Sequence, residues 1–232
     1  MTINSNQISI VMLGASGAVG TETLQALLQV KNIRQLTLLG RNPISNINVD
    51  FVQQHKISII DISSYQNYLQ GHTAAICTLG VGEPSKMSKE EFIGIDKIAV
   101  LNFAVECKKA GIKHFELLAS AGIHPKSKFL YLRTKGELVE ELKALNFERL
   151  SIFQPSMILT PTNRYGITQA ITLKVWPLLK PFFMGSLRKY RGISVKVLGQ
   201  AMAKNIFIEG KAYEILQWDE FYSTIYSTYE NK

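Results

Sequence analysis

Apolar positions along this chain fall into two alternating rhythms. Short, β-branched runs with few polar interruptions occur at Ile8–Leu13, Leu36–Leu39, Ile57–Ile60, Ala74–Thr78, His114–Leu118 and Ser151–Phe153. Between them lie amphipathic stretches at Gly17–Val30, Ser63–Gln70, Ser85–Ala110 and Tyr131–Leu145, while Ile44–Phe51 follows neither rhythm. Short continuous apolar strands alternating with helices predict an α/β fold, a doubly wound parallel sheet covered on both faces. After Phe153 the rhythm breaks at Gln154, Pro155, Pro161 and Asn163. A helical stretch at Ile167–Leu179, an interruption at Pro181, a basic segment through Arg191 and a helix at Val195–Ile208 follow. Ala212–Leu216 reads as a last strand and Trp218–Tyr229 as a last helix. No linker divides the chain, so residues 1–232 read as a single domain in which 154–232 contributes a small substrate-binding part.

The bulk properties narrow the classes. The chain has 232 residues, 46% of them hydrophobic, which suits one buried core and argues against disorder. No apolar run reaches the roughly 18–20 residues of a membrane span, and Met1–Gln7 is polar, unlike a signal peptide. The expected location is cytoplasmic. Cys77 and Cys107 lack metal-ligand spacing and read as buried reduced thiols. A net charge of +8 suits anionic ligands, but the basic residues are scattered and form no nucleic-acid motif. In Val175–Tyr190, Trp176, Leu178, Leu179, Phe182 and Phe183 mix with Lys180, Arg188 and Lys189, and Lys174 directly precedes it. Broken by Pro177 and Pro181, that segment reads as a lid over a pocket rather than a membrane-surface helix.

The chemistry begins at Leu13-Gly14-Ala15-Ser16-Gly17-Ala18-Val19-Gly20, between the first strand and the first helix. In such a turn Gly14 permits the tight bend, Gly17 admits a pyrophosphate and Gly20 lets helix and strand pack closely. The helix start then offers free amides and the positive end of its dipole to phosphates. This is the context of a dinucleotide site, an NAD(P)-binding Rossmann fold. NAD sites place an acid about 20 residues on, to hold the ribose hydroxyls. Here the second strand ends Leu38-Leu39-Gly40-Arg41-Asn42, with no acid, and a guanidinium at Arg41 matches the 2′-phosphate of NADP. Asp61 and Ile62 close the third strand where an adenine would lie, although Asp61 equally suits a helix cap. Thr78, Leu79 and Gly80 close the fourth strand beside the expected cofactor.

Tyr131 and Lys135 stand one turn apart at the start of the helix after the fifth strand, and form the only Tyr-x-x-x-Lys in the chain. The glycine spacing and this pair resemble the short-chain dehydrogenase/reductase superfamily in its extended and atypical branches. Phe115–Gly122, Phe129–Glu137 and Ser151–Ser156 resemble more narrowly the oxidoreductase family of the HIV Tat-interactive protein, as does basic Gly185–Ile193. Two departures are Ala119, where that family often has a second serine, and Gln154-Pro155-Ser156, where it has Arg-Pro-Gly. The resemblance implies reduction of a small carbonyl compound by NADPH. Tyr131 would give the proton, Lys135 would assist the phenol and hold the nicotinamide ribose, and Ser120 would bond the substrate oxygen. Ser127 is the alternative serine. Gly80–Pro84, Ala121–His124 and Ser156–Gly166 are the expected pocket walls. Two other readings share the glycine turn: a non-catalytic NADP(H) sensor, and a flavin-type reductase that does not need the tyrosine.

Overall fold

The computed structural model describes residues 7–160 and 183–227. Seven strands form one parallel sheet: β1 Ile8–Leu13, β2 Ile33–Gly40, β3 Val52–Lys56, β4 Ala74–Cys77, β5 His114–Leu118, β6 Arg149–Phe153 and, late in the chain, β9 Tyr213–Leu216. Their spatial order is β3-β2-β1-β4-β5-β6-β9, and a separate short pair joins β7 Ile158–Leu159 to β8 Ile193–Ser194. The chain therefore winds outward from β1 in one direction, then restarts at β4 and winds the other way. Ligands of such sheets bind where that reversal opens a crevice, at the carboxyl ends of the strands.

Alternation along each strand supplies two cores. Val11, Leu13, Ala75, Cys77, Phe115 and Leu117 face one side, where α3 Val100–Lys109 and α4 Leu130–Ala144 cover them. Ile10, Met12, Leu36, Leu38 and Ile76 face the other, under α1 Ala18–Leu27, α5 Val195–Asn205 and α6 Trp218–Tyr226. Burial on both faces explains the unbroken apolar runs that announced these strands. Cys77 and Cys107 are fully buried and unpaired, on the α3 side.

Three expectations shift. The third strand is Val52–Lys56, ahead of Ile57–Ile60. Among the described residues it is the sheet's edge, pairing only with β2, and polar, solvent-facing positions such as exposed Gln53 and half-buried His55 hide its character. Ile57 and Ile59 instead pack on the core from the following loop, while Ile60 is exposed. The helix expected at Ser63–Gln70 is a pair of short 3₁₀ turns, Ile62–Ser64 and Gln66–Leu69. The stretch expected as one helix over Ser85–Ala110 becomes α2 Lys89–Ile93, a π turn Gly94–Ala99, then α3. A capping box between Ser88 and Glu91 starts it. The helix expected at Ile167–Leu179 and the Pro181 interruption lie outside the described residues, as does much of Val175–Tyr190. Among the described residues no helix is long and apolar enough to cross a membrane.

Candidate functional site

Parallel register brings three strand ends to one edge, because Leu13 stands opposite both Leu39 and Cys77. The segments that leave those ends enclose a cleft of about 310 Å³. Its walls include Gly14, Ala15 and Ser16 after β1, Gly40, Arg41 and Asn42 after β2, and Leu79, Gly80 and Val81 after β4. Met87 and Ile95 close it.

The glycine turn is built as its spacing requires. Gly14 has φ +95°, and a Cβ there would stand 2.7 Å from the Leu79 nitrogen. A Cβ on Gly20 would overlap the Gly14 carbonyl oxygen, so α1 approaches β1 at a distance no other residue permits. Thr78 binds this turn from the side: its buried hydroxyl donates to the Gly14 carbonyl at 2.9 Å. Gly17 is the N-cap of α1, no side chain caps the helix and its first turn carries no acid. Among the described residues, the amides of Ala18, Val19 and Gly20 at that helix start therefore meet no capping carboxylate that competes for an incoming phosphate. Arg41 is exposed on the cleft wall. Asp61 and Ile62 do not line it. The Asp61 carboxylate accepts from the Ser63 amide at 3.0 Å and hydroxyl at 2.7 Å, capping the first 3₁₀ turn, while Ile62 packs on the core.

On the far side of Gly80 lies a group that periodicity did not single out. Asp96 is completely buried, and one of its oxygens is 2.7 Å from the Lys135 ammonium. The other oxygen accepts from the Val81 amide at 2.8 Å. A Cβ on Gly80 would be 3.3 Å from Asp96 Oδ1 and 3.7 Å from Lys135 Nζ, so the cleft wall and the lysine touch through this glycine. The π turn brings Asp96 inward. Inserting one residue per turn re-aims a helix, and such turns recur at functional sites. Burial acts to lower the affinity of Lys135 for its proton, but Tyr131 and Asp96 together outweigh it and hold that ammonium above the ordinary lysine range.

Tyr131 and Lys135 do share a face of α4, with the ammonium 5.7 Å from the centre of the phenol ring. Ser120 is half-buried on the loop after β5, where the amides of Ala119 and Ala121 bond the Phe153 and Pro155 carbonyls. Among the described residues neither the Ser120 nor the Tyr131 hydroxyl is engaged by another protein group. Ser127, by contrast, accepts from the Phe129 amide at 3.2 Å and shapes the entry to α4. A second cavity, of about 370 Å³, opens beside Tyr131 between Met87, Phe92 and Leu130. Met87 lines both spaces.

Comparison with known proteins places this arrangement. A family model described as NAD(P)H-binding matches residues 14–166. Protein HTATIP2 of Rattus norvegicus is 35% identical over 158 residues, 65% of this chain; the match spans 63% of the rat protein, less than two-thirds of its length. Protein fmp52, mitochondrial, of Emericella nidulans is 28% identical over 186 residues, 78% of this chain and 76% of the fungal one. Among solved structures, MoeE5 in complex with UDP-glucuronic acid and NAD aligns with TM-score 0.70 at 12% identity, over 90% of this chain and 75% of that one. The oxidoreductase ylbE of Lactococcus lactis aligns with TM-score 0.62 at 16% identity, over 86% and 84%. At those identities the structural likeness shows the fold.

Proposed function

The chain belongs to the NAD(P)H-binding family, and on that premise we propose that it is an NADP(H)-dependent reductase of small carbonyl compounds. The observation that carries this reading is the position of Tyr131 and Lys135. They share one helix face, with Lys135 lying against Gly80 at the cleft wall and the Tyr131 hydroxyl bonded to none of the described residues. The residues fit a dinucleotide. A turn without room for side chains at Gly14 and Gly20 leads into an uncapped, acid-free helix start, and Arg41, exposed on the cleft wall, supports a contact to a 2′-phosphate.

A bound reduced nicotinamide supplies a hydride to the carbonyl carbon. Tyr131 gives its proton to the carbonyl oxygen and Ser120 donates a hydrogen bond to that oxygen as charge develops. Lys135 holds its positive charge near the phenol, and Asp96 keeps that ammonium in place. The part of the chain from residue 154 onward completes the substrate side in this reading.

Two substitutions test it. Tyr131→Phe keeps the ring and removes the hydroxyl, so turnover of a carbonyl substrate falls about 10²–10⁴-fold while NADPH affinity hardly changes. Arg41→Ala erases a preference for NADPH over NADH of about tenfold or more, measured by direct titration of both cofactors. Equal affinities in the unmutated protein would remove the NADP assignment. Undiminished turnover by Tyr131→Phe would remove the mechanism. Tight NADPH binding with no turnover across a panel of aldehydes, ketones and quinones would favour the sensor.

A further inference from the structure

We propose that the cavity beside Tyr131 is the acceptor site and that it takes a flat, apolar aromatic ketone or aldehyde. The inference rests on the reductase reading and adds the class of substrate to it. The acceptor must reach the Tyr131 hydroxyl and the cofactor cleft at once, and the cavity beside Tyr131 shares a wall residue, Met87, with that cleft.

The described walls of this cavity favour an aromatic ring over a polyhydroxy chain. Phe92 is buried, with its ring centre 5.9 Å from that of Tyr131 and the two planes inclined by 30°. Aromatic rings attract one another at such separations, through offset or tilted faces. Met87 adds a polarisable thioether, which packs favourably against ring edges, and Leu130 adds an aliphatic wall. Of the polar side chains in the lining, Ser88 is already spent. Ser88 donates its hydroxyl to Glu91 Oε2 at 2.9 Å and accepts from the Glu91 amide at 3.1 Å, so its hydrogen bonds are committed to starting α2. Ser85 and Lys89 are exposed. A polyhydroxylated substrate would lose water against Met87, Phe92 and Leu130, a cost an aromatic ring does not meet. The volume, about 370 Å³, lies at the small end of ligand sites and suits one or two fused rings.

The reaction balances without a further reagent. Hydride passes to the carbonyl carbon, the carbon–oxygen π bond breaks onto oxygen, and the Tyr131 proton completes the alcohol. NADPH becomes NADP⁺, and the phenolate regains its proton from solvent.

The test uses acetonaphthone, with octanone and dihydroxyacetone as ring-free and polyhydroxy comparisons. Calorimetric titration into the protein saturated with NADP⁺ reads binding alone, since the oxidised cofactor carries no hydride. Loss of NADPH absorbance reads turnover. Acetonaphthone should bind at least about tenfold more tightly than either comparison. Leu130→Trp should weaken it by about tenfold or more while leaving NADP⁺ affinity unchanged, because Leu130 does not line the cofactor cleft. If the melting temperature of that variant falls, Leu130→Phe repeats the test with less added bulk. Binding that Leu130→Trp weakens, without turnover of acetonaphthone, keeps an aromatic site here but overturns its role as the acceptor site, while turnover of other panel members would leave the reductase reading standing. Acetonaphthone that does not saturate the protein, binds no better than octanone or dihydroxyacetone, or ignores Leu130→Trp overturns the site.

Discussion

Asp96 and Lys135 stand 2.7 Å apart with almost no access to water, so each charge depends on the other. Removing one member of such a pair leaves an uncompensated buried charge, which costs about 3–5 kcal/mol, whereas replacing both by apolar groups costs far less. Asp96→Ala should therefore lower stability to denaturant by that amount, and the double variant with Lys135→Met should recover most of it. A single variant as stable as the wild type would show that the two charges do not lean on each other. The sequence makes one member legible and hides the other. Lys135 is visible because its tyrosine lies one turn away on a regular helix. Asp96 lies in Gly94–Ala99, where a π turn departs from the 3.6-residue period used to assign faces. Asp61 shows the reverse difficulty: a carboxylate at a strand exit suits a ligand and a cap equally, and only its bonds to Ser63 show where it is spent.

At the scale of elements, strand bounds are plainest where both faces are buried, although β9, at the sheet's other edge, is also legible as Ala212–Leu216. The bounds of β1 and β5 match their apolar runs. β3, half-exposed at the edge, does not announce itself, and its place is taken in the pattern by loop residues that face the core. Across β5, β6 and the edge strand β9, polar residues meet. Glu116 is opposite Ser151, which is opposite Glu214, and Asn205 of α5 donates to Glu116 Oε1 at 2.8 Å. Burial pushes the Glu116 carboxyl well above its ordinary value of 4.5, and burial followed by the Arg149 charge drives His114 down to about 3. The signs are opposite. The fold favours protonated Glu116, so its contribution is intact below the usual carboxylate range and is lost as pH rises toward the raised value. The fold favours neutral His114, so its contribution is present above 6.5 and is lost as pH falls toward about 3. Glu116→Gln keeps the oxygen that Asn205 needs and cannot ionise. Its melting temperature should overtake that of the wild type as pH rises from about 5 to about 9, by about 2–4 °C per kcal/mol. Parallel melting curves across that range would show that Glu116 ionises inside the fold without penalty.

Taken as a whole molecule, the sheet joins its two halves through β1 and β4 alone, since these are the neighbours at the point of reversal. The cofactor cleft opens over that same seam, lined by the segments that leave both strands. Cys77 ends β4, and Cys107 sits in α3 on top of it, both sealed from solvent. Burial pushes the Cys77 thiol up to about 12 and the Cys107 thiol well above its usual range, so neither supplies a thiolate while the fold is closed. The two thiols therefore act as a built-in stopwatch for opening of the seam. A disulfide reagent such as dithiobisnitrobenzoate should leave the native protein untouched except through rare excursions, and should capture both sulfurs in denaturant. NADPH at about a hundred times its dissociation constant stabilises the closed state by about 2.7 kcal/mol and should slow capture roughly a hundredfold. Equal rates for the two cysteines would mark β4 and α3 as one cooperative unit, and a Cys77 that reacts alone would locate the first breach beside the cofactor.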